Sequence, residues 1–136
     1  MKILIIDDNP ADREFYKKHI KECKIFKDVE IEECGSLSTA FQSFSKNDFD
    51  LIILDLGLPE SDGIQTITDT YKELNKKETI PPVIVLTGLE DRTHIIGTEA
   101  FKYGVKDFLT KSEVENNCKE LSRAIKYATY SLKFKI

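Results

Sequence analysis

Long apolar runs are missing from this chain of 136 residues. The longest are four or five residues, far short of the ~20 that a membrane-spanning helix needs, so none can cross a bilayer in that form. Cysteine is sparse. Cys23, Cys34 and Cys118 are widely spaced, odd in number and form no C-x-x-C, which is the usage of reduced thiols in a cytoplasmic protein rather than of a disulfide framework. Histidine is sparser still: His19 and His94 have no neighbours at metal-site spacing, which argues against a zinc site and leaves both as ordinary helix residues. Lys and Arg form no block. Twenty of them are scattered against 24 acidic residues for a net charge of −4, so no direct nucleic-acid binding is expected. The opening MKILIIDD turns acidic immediately and reads as a strand, not a signal peptide.

What is present suffices for one domain. Hydrophobic residues at 40% and charged residues at 32% support a globular core with a solvated surface. Five short apolar stretches alternate with five amphipathic ones. Residues 2–6, 29–33, 51–54, 83–86 and 105–109 read as strands; the glutamates beside Val29 and Ile31 mark an edge strand. A helix from Pro10, capped by Asp8 or Asn9, runs to about Cys23 and turns Ala11, Phe15, Ile20 and Cys23 to the sheet. The next occupies 38–46. A third starts at Ser61 or Asp62 and carries Ile64, Ile67, Tyr71 and Leu74. A fourth carries Ile95, Ile96, Ala100 and Phe101, holds Gly97 inside it and stops at Gly104. The last, from about 113 to 134, starts from a capping box of Ser112 and Glu115 and turns Val114, Cys118, Leu121, Ala124, Ile125 and Ala128 inward. Strands apolar almost throughout must be covered on both faces. The expected fold is therefore an α/β doubly wound three-layer sandwich with a five-stranded parallel sheet. The order 2-1-3-4-5 is taken from the usual menu of such folds, since periodicity does not supply it.

In such a sheet the carboxyl ends of the strands carry the chemistry. Asp7 and Asp8 end the first strand, Asp55 the third and Thr87 the fourth, and Lys111 lies just beyond the fifth. Three carboxylates brought together repel one another unless a cation sits among them. An oxygen-only donor set without histidine suits Mg²⁺, or Mn²⁺ in its place. Lys111 and Thr87 would be idle in a pure metal site. They become useful if a phosphoryl group joins Asp55, whose carboxylate can act as a nucleophile.

The DD pair at Asp7 and Asp8, DLGLPESDG around Asp55, the TG step at Thr87 and Gly88, and GVKDFLTK ending in Lys111 resemble the receiver domain of two-component response regulators. The likeness covers essentially the whole chain. It implies that Asp55 accepts phosphate from the phosphohistidine of a sensor histidine kinase or phosphotransfer protein. It implies Mg²⁺ held by Asp8 and Asp55, by Asp7 through water and by the Gly57 backbone carbonyl. Thr87 would move toward the phosphoryl group, and Phe108 would be the switch aromatic, without a tyrosine's hydroxyl. The implied catalysis is on the chain itself, phosphotransfer and later hydrolysis, with no outside substrate turned over. The family further implies homodimer or partner contact through the fourth helix, fifth strand and last helix. The last helix, extending past what the sheet needs, can serve as a connector to an output domain outside these 136 residues.

This chain departs from the family in two places. Ser112 follows Lys111 where the family usually has proline, so a cis bond there would cost ~2.5–4 kcal/mol and the local geometry is expected to be trans or strained, with Ser112 as a cap. Gly57, two beyond Asp55, and Leu89, two beyond Thr87, cannot orient an attacking water through their side chains, so the phosphoform should be long-lived. Three other readings compete. An Mg²⁺ phosphohydrolase with an aspartyl-phosphate intermediate would want an aspartate where Gly57 stands. A flavodoxin-like cofactor binder would find Asp7 and Asp8 repelling its phosphate. A degenerate receiver acting only as an interaction module would not need all five polar residues.

Overall fold

A computed structural model describes residues 1–23, 26, 28–60, 63–88, 93–117 and 119–133, with the side chains of 93–95 and 131–133 left out of the description. Five parallel strands form one sheet in the order β2-β1-β3-β4-β5. The strands are β1 (Lys2–Ile6), β2 (Glu30–Cys34), β3 (Leu51–Leu54), β4 (Val83–Thr87) and β5 (Asp107–Thr110). The helices are α1 (Pro10–Glu22), α2 (Leu37–Lys46), α3 (Ile64–Leu74), α4 (Thr93–Lys102), α5 (Lys111–Asn116) and α6 (Lys119–Lys133).

Side chains alternate along a strand, so a strand buried on both faces must be apolar at every position. Leu4, Ile6, Ile52, Leu54, Val83 and Val85 pack with Leu37, Ala40, Phe44, Ile67, Leu74, Ile96 and Ala100 on the side of α2, α3 and α4. Their neighbours Ile3, Ile5, Leu51, Ile53, Ile84 and Leu86 pack with Tyr16, Ile20, Val114, Leu121, Ala124 and Ile125 on the side of α1, α5 and α6. β2 is the edge that the glutamates of 30–33 announce, pairing in the sheet with β1 alone.

The helix faces differ from expectation at several points. In α1 the buried residues are Tyr16 and Ile20; Ala11, in the first turn, is exposed. In α4, Ala100 is buried while Phe101 stays 52% exposed, and Tyr103 beside it is 44% exposed. The helix expected over 113–134 is two helices. α5 ends at Asn116, and the side chain of the next residue, Asn117, accepts from the Lys119 N–H and so starts α6. The cap of α5 also lies two residues earlier than Ser112. Thr110 Oγ1 accepts from the Glu113 N–H, and Glu113 returns its carboxylate to the hydroxyl, so Ser112 is inside the first turn. The expected start of α3 at Ser61 and Asp62, Leu89, Cys118 and residue 134 lie outside the described residues; α3 itself begins after Gly63, at φ 56°.

Two contacts fix the loops around the sheet's carboxyl edge. The Glu60 carboxylate, beyond β3, accepts from the Leu37 and Ser38 N–H groups at 3.0 Å each and so binds its loop to the start of α2. Thr66 Oγ1 donates to the Leu56 carbonyl at 3.0 Å, inside the protein. Gly104 closes α4 at φ 106°, a left-handed conformation that a side chain would strain.

Glu60→Ala should lower stability by about 1 kcal/mol in denaturant unfolding, through loss of a charged helix cap. Burial raises the Glu60 pKa, but the Ser38 and Leu37 N–H groups outweigh it and hold the carboxyl below its ordinary value. The contribution is therefore complete above the unfolded glutamate pKa and disappears as pH falls through the folded one, so wild type and variant converge in acid. Gly97 lies in α4 where an added Cβ would meet the Phe108 ring at 3.7 Å, an ordinary contact. Gly97→Ala should then raise stability by up to about 1 kcal/mol in the same assay.

Candidate functional site

The register of the sheet assembles the site. Ile6 pairs with Leu54, so the next residues, Asp7 and Asp55, leave adjacent strands side by side. Leu54 pairs with Val85 and Thr87 pairs with Thr110, which brings the β4 hydroxyl and Lys111 to the same edge. The backbone continues the sheet a step further, the Asp55 N–H donating to the Ile6 carbonyl at 2.9 Å. Carboxylate oxygens of Asp7, Asp8 and Asp55 lie within 4.8 Å of one another; Asp7 and Asp55 are buried and Asp8 is exposed.

Lys111 sits on these acids. Its Nζ is 2.7 Å from Asp12 Oδ2, 3.0 Å from Asp7 Oδ2 and 3.6 Å from Asp55 Oδ2. The side chain starts from the first residue of α5, directly after the strand, with no loop between them. The Lys111–Ser112 bond is trans, as no described peptide bond is cis. Thr110 thus does two jobs, ending the strand and capping the helix, and that short junction sets the base of the lysine. The Thr87 side chain hydrogen-bonds the Asp55 carboxylate, and the Gly57 N–H donates to Asp55 Oδ1 at 3.4 Å. Asp7 Oδ1 accepts from the Asn9 N–H at 2.9 Å, which turns the chain into α1.

Burial pushes the Asp55 carboxyl above its ordinary pKa, and Lys111 only partly opposes it. Asp7 is raised likewise, first by burial and then by the charge of Asp55, against the Asn9 N–H and Lys111. For Lys111 burial acts downward, but Asp12, Asp55 and Asp7 together hold the ammonium above its ordinary value. Asp7 Oδ2 is buried without a well-aligned hydrogen bond, and Lys111 Nζ lies 3.0 Å from it. A buried, under-served oxygen among three gathered carboxylates fits a hard divalent cation that seeks oxygen ligands.

All of Asp7, Asp8, Asp55, Thr87 and Lys111 come to this edge, and Gly57 adjoins it. Phe108 lies apart, partly buried against the α2–α4 side, two residues before Thr110 on β5. His19 packs its ring edge on Phe15 at 4.3 Å and is no part of the site. The thiols of Cys23 and Cys34 are free. Asp12 was missed. An acid in the first turn of a helix is such a routine complement to the helix dipole that nothing in the sequence sets it apart. Arg13, which donates from its guanidinium to the Asp7 carbonyl, was also missed.

An acidic pocket with a lysine at the carboxyl edge of the sheet defines a doubly wound α/β domain whose polar groups stand where such sheets take their ligands. The family model of the response regulator receiver domain matches residues 3–125, and the chain belongs to that family, part of two-component signalling. The chain is 34% identical over 110 residues to the transcriptional regulatory protein SrrA of Staphylococcus aureus, covering 81% of this chain and 41% of SrrA, so it spans less than half of that relative. Among solved structures, a response regulator receiver domain protein from Clostridium thermocellum matches with TM-score 0.77 at 25% identity over 99% of this chain and 98% of the other. A response regulator from Burkholderia pseudomallei, solved with a phosphorylated aspartic acid and a calcium ion, matches with TM-score 0.72 at 18% identity, over 97% and 70% of the two chains, a likeness of fold.

The raised pKa of Asp55 fixes the sign of a pH effect. A carboxyl raised on folding favours the folded state below the unfolded pKa, about 3.9, and that contribution is lost as pH rises through the folded pKa. At neutral pH the ionised Asp55 therefore costs stability. Asp55→Asn should melt above wild type at pH 7 without divalent cation, and the gap should close in acid and on adding Mg²⁺.

Proposed function

We propose that this domain is a phosphorylation-dependent switch in which Asp55 accepts a phosphoryl group from the phosphohistidine of a sensor histidine kinase or phosphotransfer protein. In this reading an Asp55 oxygen attacks phosphorus, the P–N bond breaks, and the departing imidazole takes up a proton. Asp8, Asp55 and the Gly57 carbonyl would hold Mg²⁺, and Asp7 would serve it through water. When bound, the ion would supply positive charge to offset that of the transferring oxygens. Lys111 supplies a second positive charge, and Thr87 donates to a phosphoryl oxygen. The observation that carries the reading is the Lys111 ammonium set among Asp7 and Asp55 at 3.0 and 3.6 Å, with Asp8 within 4.8 Å of both acids. The B. pseudomallei regulator carries its phosphate on an aspartate; support for this chain comes from its own side chains.

Phosphorylation then shifts a two-state balance. Phe108, on the strand beside Thr87, is the aromatic that responds. The partner or homodimer face comprises α4, β5 and the final helices, where Phe101, Tyr103, Tyr127 and Tyr130 are exposed. Residues 1–136 act as one receiver, with α6 as its connector or dimerisation helix, in the cytoplasm. Among the described residues no helix is long and apolar enough to cross a membrane. No reading as a phosphohydrolase gains support, since Gly57 occupies the place of the second acid.

Acetyl phosphate with Mg²⁺ should add one phosphoryl group by intact mass, and Asp55→Asn or chelation should abolish it. Thr87→Ala and Lys111→Ala should each slow uptake by about 10²-fold. The phosphoform should persist, because Gly57 offers no side chain to position water; a lifetime as short as that of chemotaxis-type regulators contradicts this.

A further inference from the structure

Lys111 leans away from the residue it is meant to serve. Its Nζ is nearest Asp12, at 2.7 Å, and farthest from Asp55, at 3.6 Å. The three acids also differ in burial: the Asp12 side chain is 26% exposed, against 2% for Asp7 and 6% for Asp55. Asp12 is held in place by its own helix, since Asn9 Oδ1 accepts from the Ala11 and Asp12 N–H groups. The foot of Lys111 is equally fixed, by the Thr110–Glu113 cap. With both backbone positions fixed, the Asp12–Lys111 contact can change by side-chain motion alone.

We propose that Asp12 is a positioning residue that holds the Lys111 ammonium off Asp55 in the unphosphorylated protein and gives it up when a phosphoryl group arrives. This deepens the phosphoacceptor reading and rests on it. Three acids compete for one ammonium. While Asp12 has it, Asp7 and Asp55 keep more of their negative charge for a divalent cation. Once Asp55 carries a phosphoryl group, the added charge draws the ammonium over. Asp12 is the carboxylate best able to lose its partner, because water reaches it; an abandoned Asp7 or Asp55 would be left buried and charged. Asp12 thus favours cation binding first and keeps the ammonium 3.6 Å from Asp55, close to where it is later needed.

Removing Asp12 has effects of opposite sign on two ligands. In Asp12→Asn the ammonium settles on Asp7 and Asp55, so Mg²⁺ alone should bind two- to fivefold more weakly, about the strength of a partly exposed ion pair. With Mg²⁺ saturating, trifluoroberyllate, a phosphoryl mimic, should bind about fivefold more tightly, since no Asp12 contact must break. Asp12→Glu, which keeps the charge, should stay near wild type on both. A field effect of the lost charge alone would give the same signs, so the deciding measurement is a cycle with Lys111→Ala, read on Mg²⁺ affinity by calorimetry. The Asp12→Asn effect should shrink to near unity without the lysine. An effect of equal size in both backgrounds, or none in either, overturns the proposal. Should Asp12→Asn fail to fold by circular dichroism, Asp12→Ser enters the same cycle. If the wild type binds neither Mg²⁺ nor trifluoroberyllate, it is the phosphoacceptor reading that falls.

Discussion

Lys111 brings a positive charge into a pocket to which Asp7, Asp8, Asp12 and Asp55 bring negative ones. Left to themselves the acids would spread apart; burial first, and a neighbouring carboxylate after it, holds the Asp7 and Asp55 carboxyls above their ordinary values. What confines them is a sheet whose strands are apolar on both faces. Ile6 and Leu54 are fully buried, and each is followed at once by an acid of the site. The free energy of burying those strands is set against the repulsion at their ends. The charge is thus placed where the strands stop, which is where it can be reached from solvent.

Two junctions keep that edge from relaxing. Beyond β3, the chain is tied back by Thr66 on the Leu56 carbonyl and by Glu60 on the start of α2, so the loop carrying Asp55 and Gly57 is fastened to both α3 and α2. Beyond β5, Thr110 and Glu113 close the helix immediately, so the missing proline after Lys111 has no loop to shape. The departure from the family's Lys-Pro pattern is matched by a different way of fixing the same lysine.

Much of this was legible in the residues. Strands buried on both faces announce themselves, because nothing polar is tolerated in Ile3–Ile6 or Leu51–Leu54, and the acids that follow them are conspicuous for the same reason. Less legible was anything with two good explanations. Ser112 with Glu115 and Thr110 with Glu113 are equally plausible capping boxes; the strand's length decided between them by ending at Thr110. The break at Asn117 was hidden by an apolar pattern that continues in phase from Val114 to Leu121. Phe101 belongs to the apolar set of α4 in any count of spacing, yet Ala100 takes the inward place beside it. Asp12 was hidden by the helix dipole, an interaction local to its own turn, whereas its partner lies 99 residues away.

β4 and β5 carry the site's hydroxyl and the Phe108 ring on neighbouring strands. Val85 pairs with Phe108, and Thr87 pairs with Thr110, so the hydroxyl bound to Asp55 and the aromatic ring are two steps apart on neighbouring strands. Opposite that ring, α4 presents Gly97, where a Cβ would meet the Phe108 side chain at 3.7 Å. A glycine inside a helix is normally a loss. Here it sits where the ring meets α4, and the helix continues to the exposed Phe101. The residue of α4 least favourable to a helix thus lies at its contact with β5, where the space beside the ring, rather than helix propensity, accounts for it.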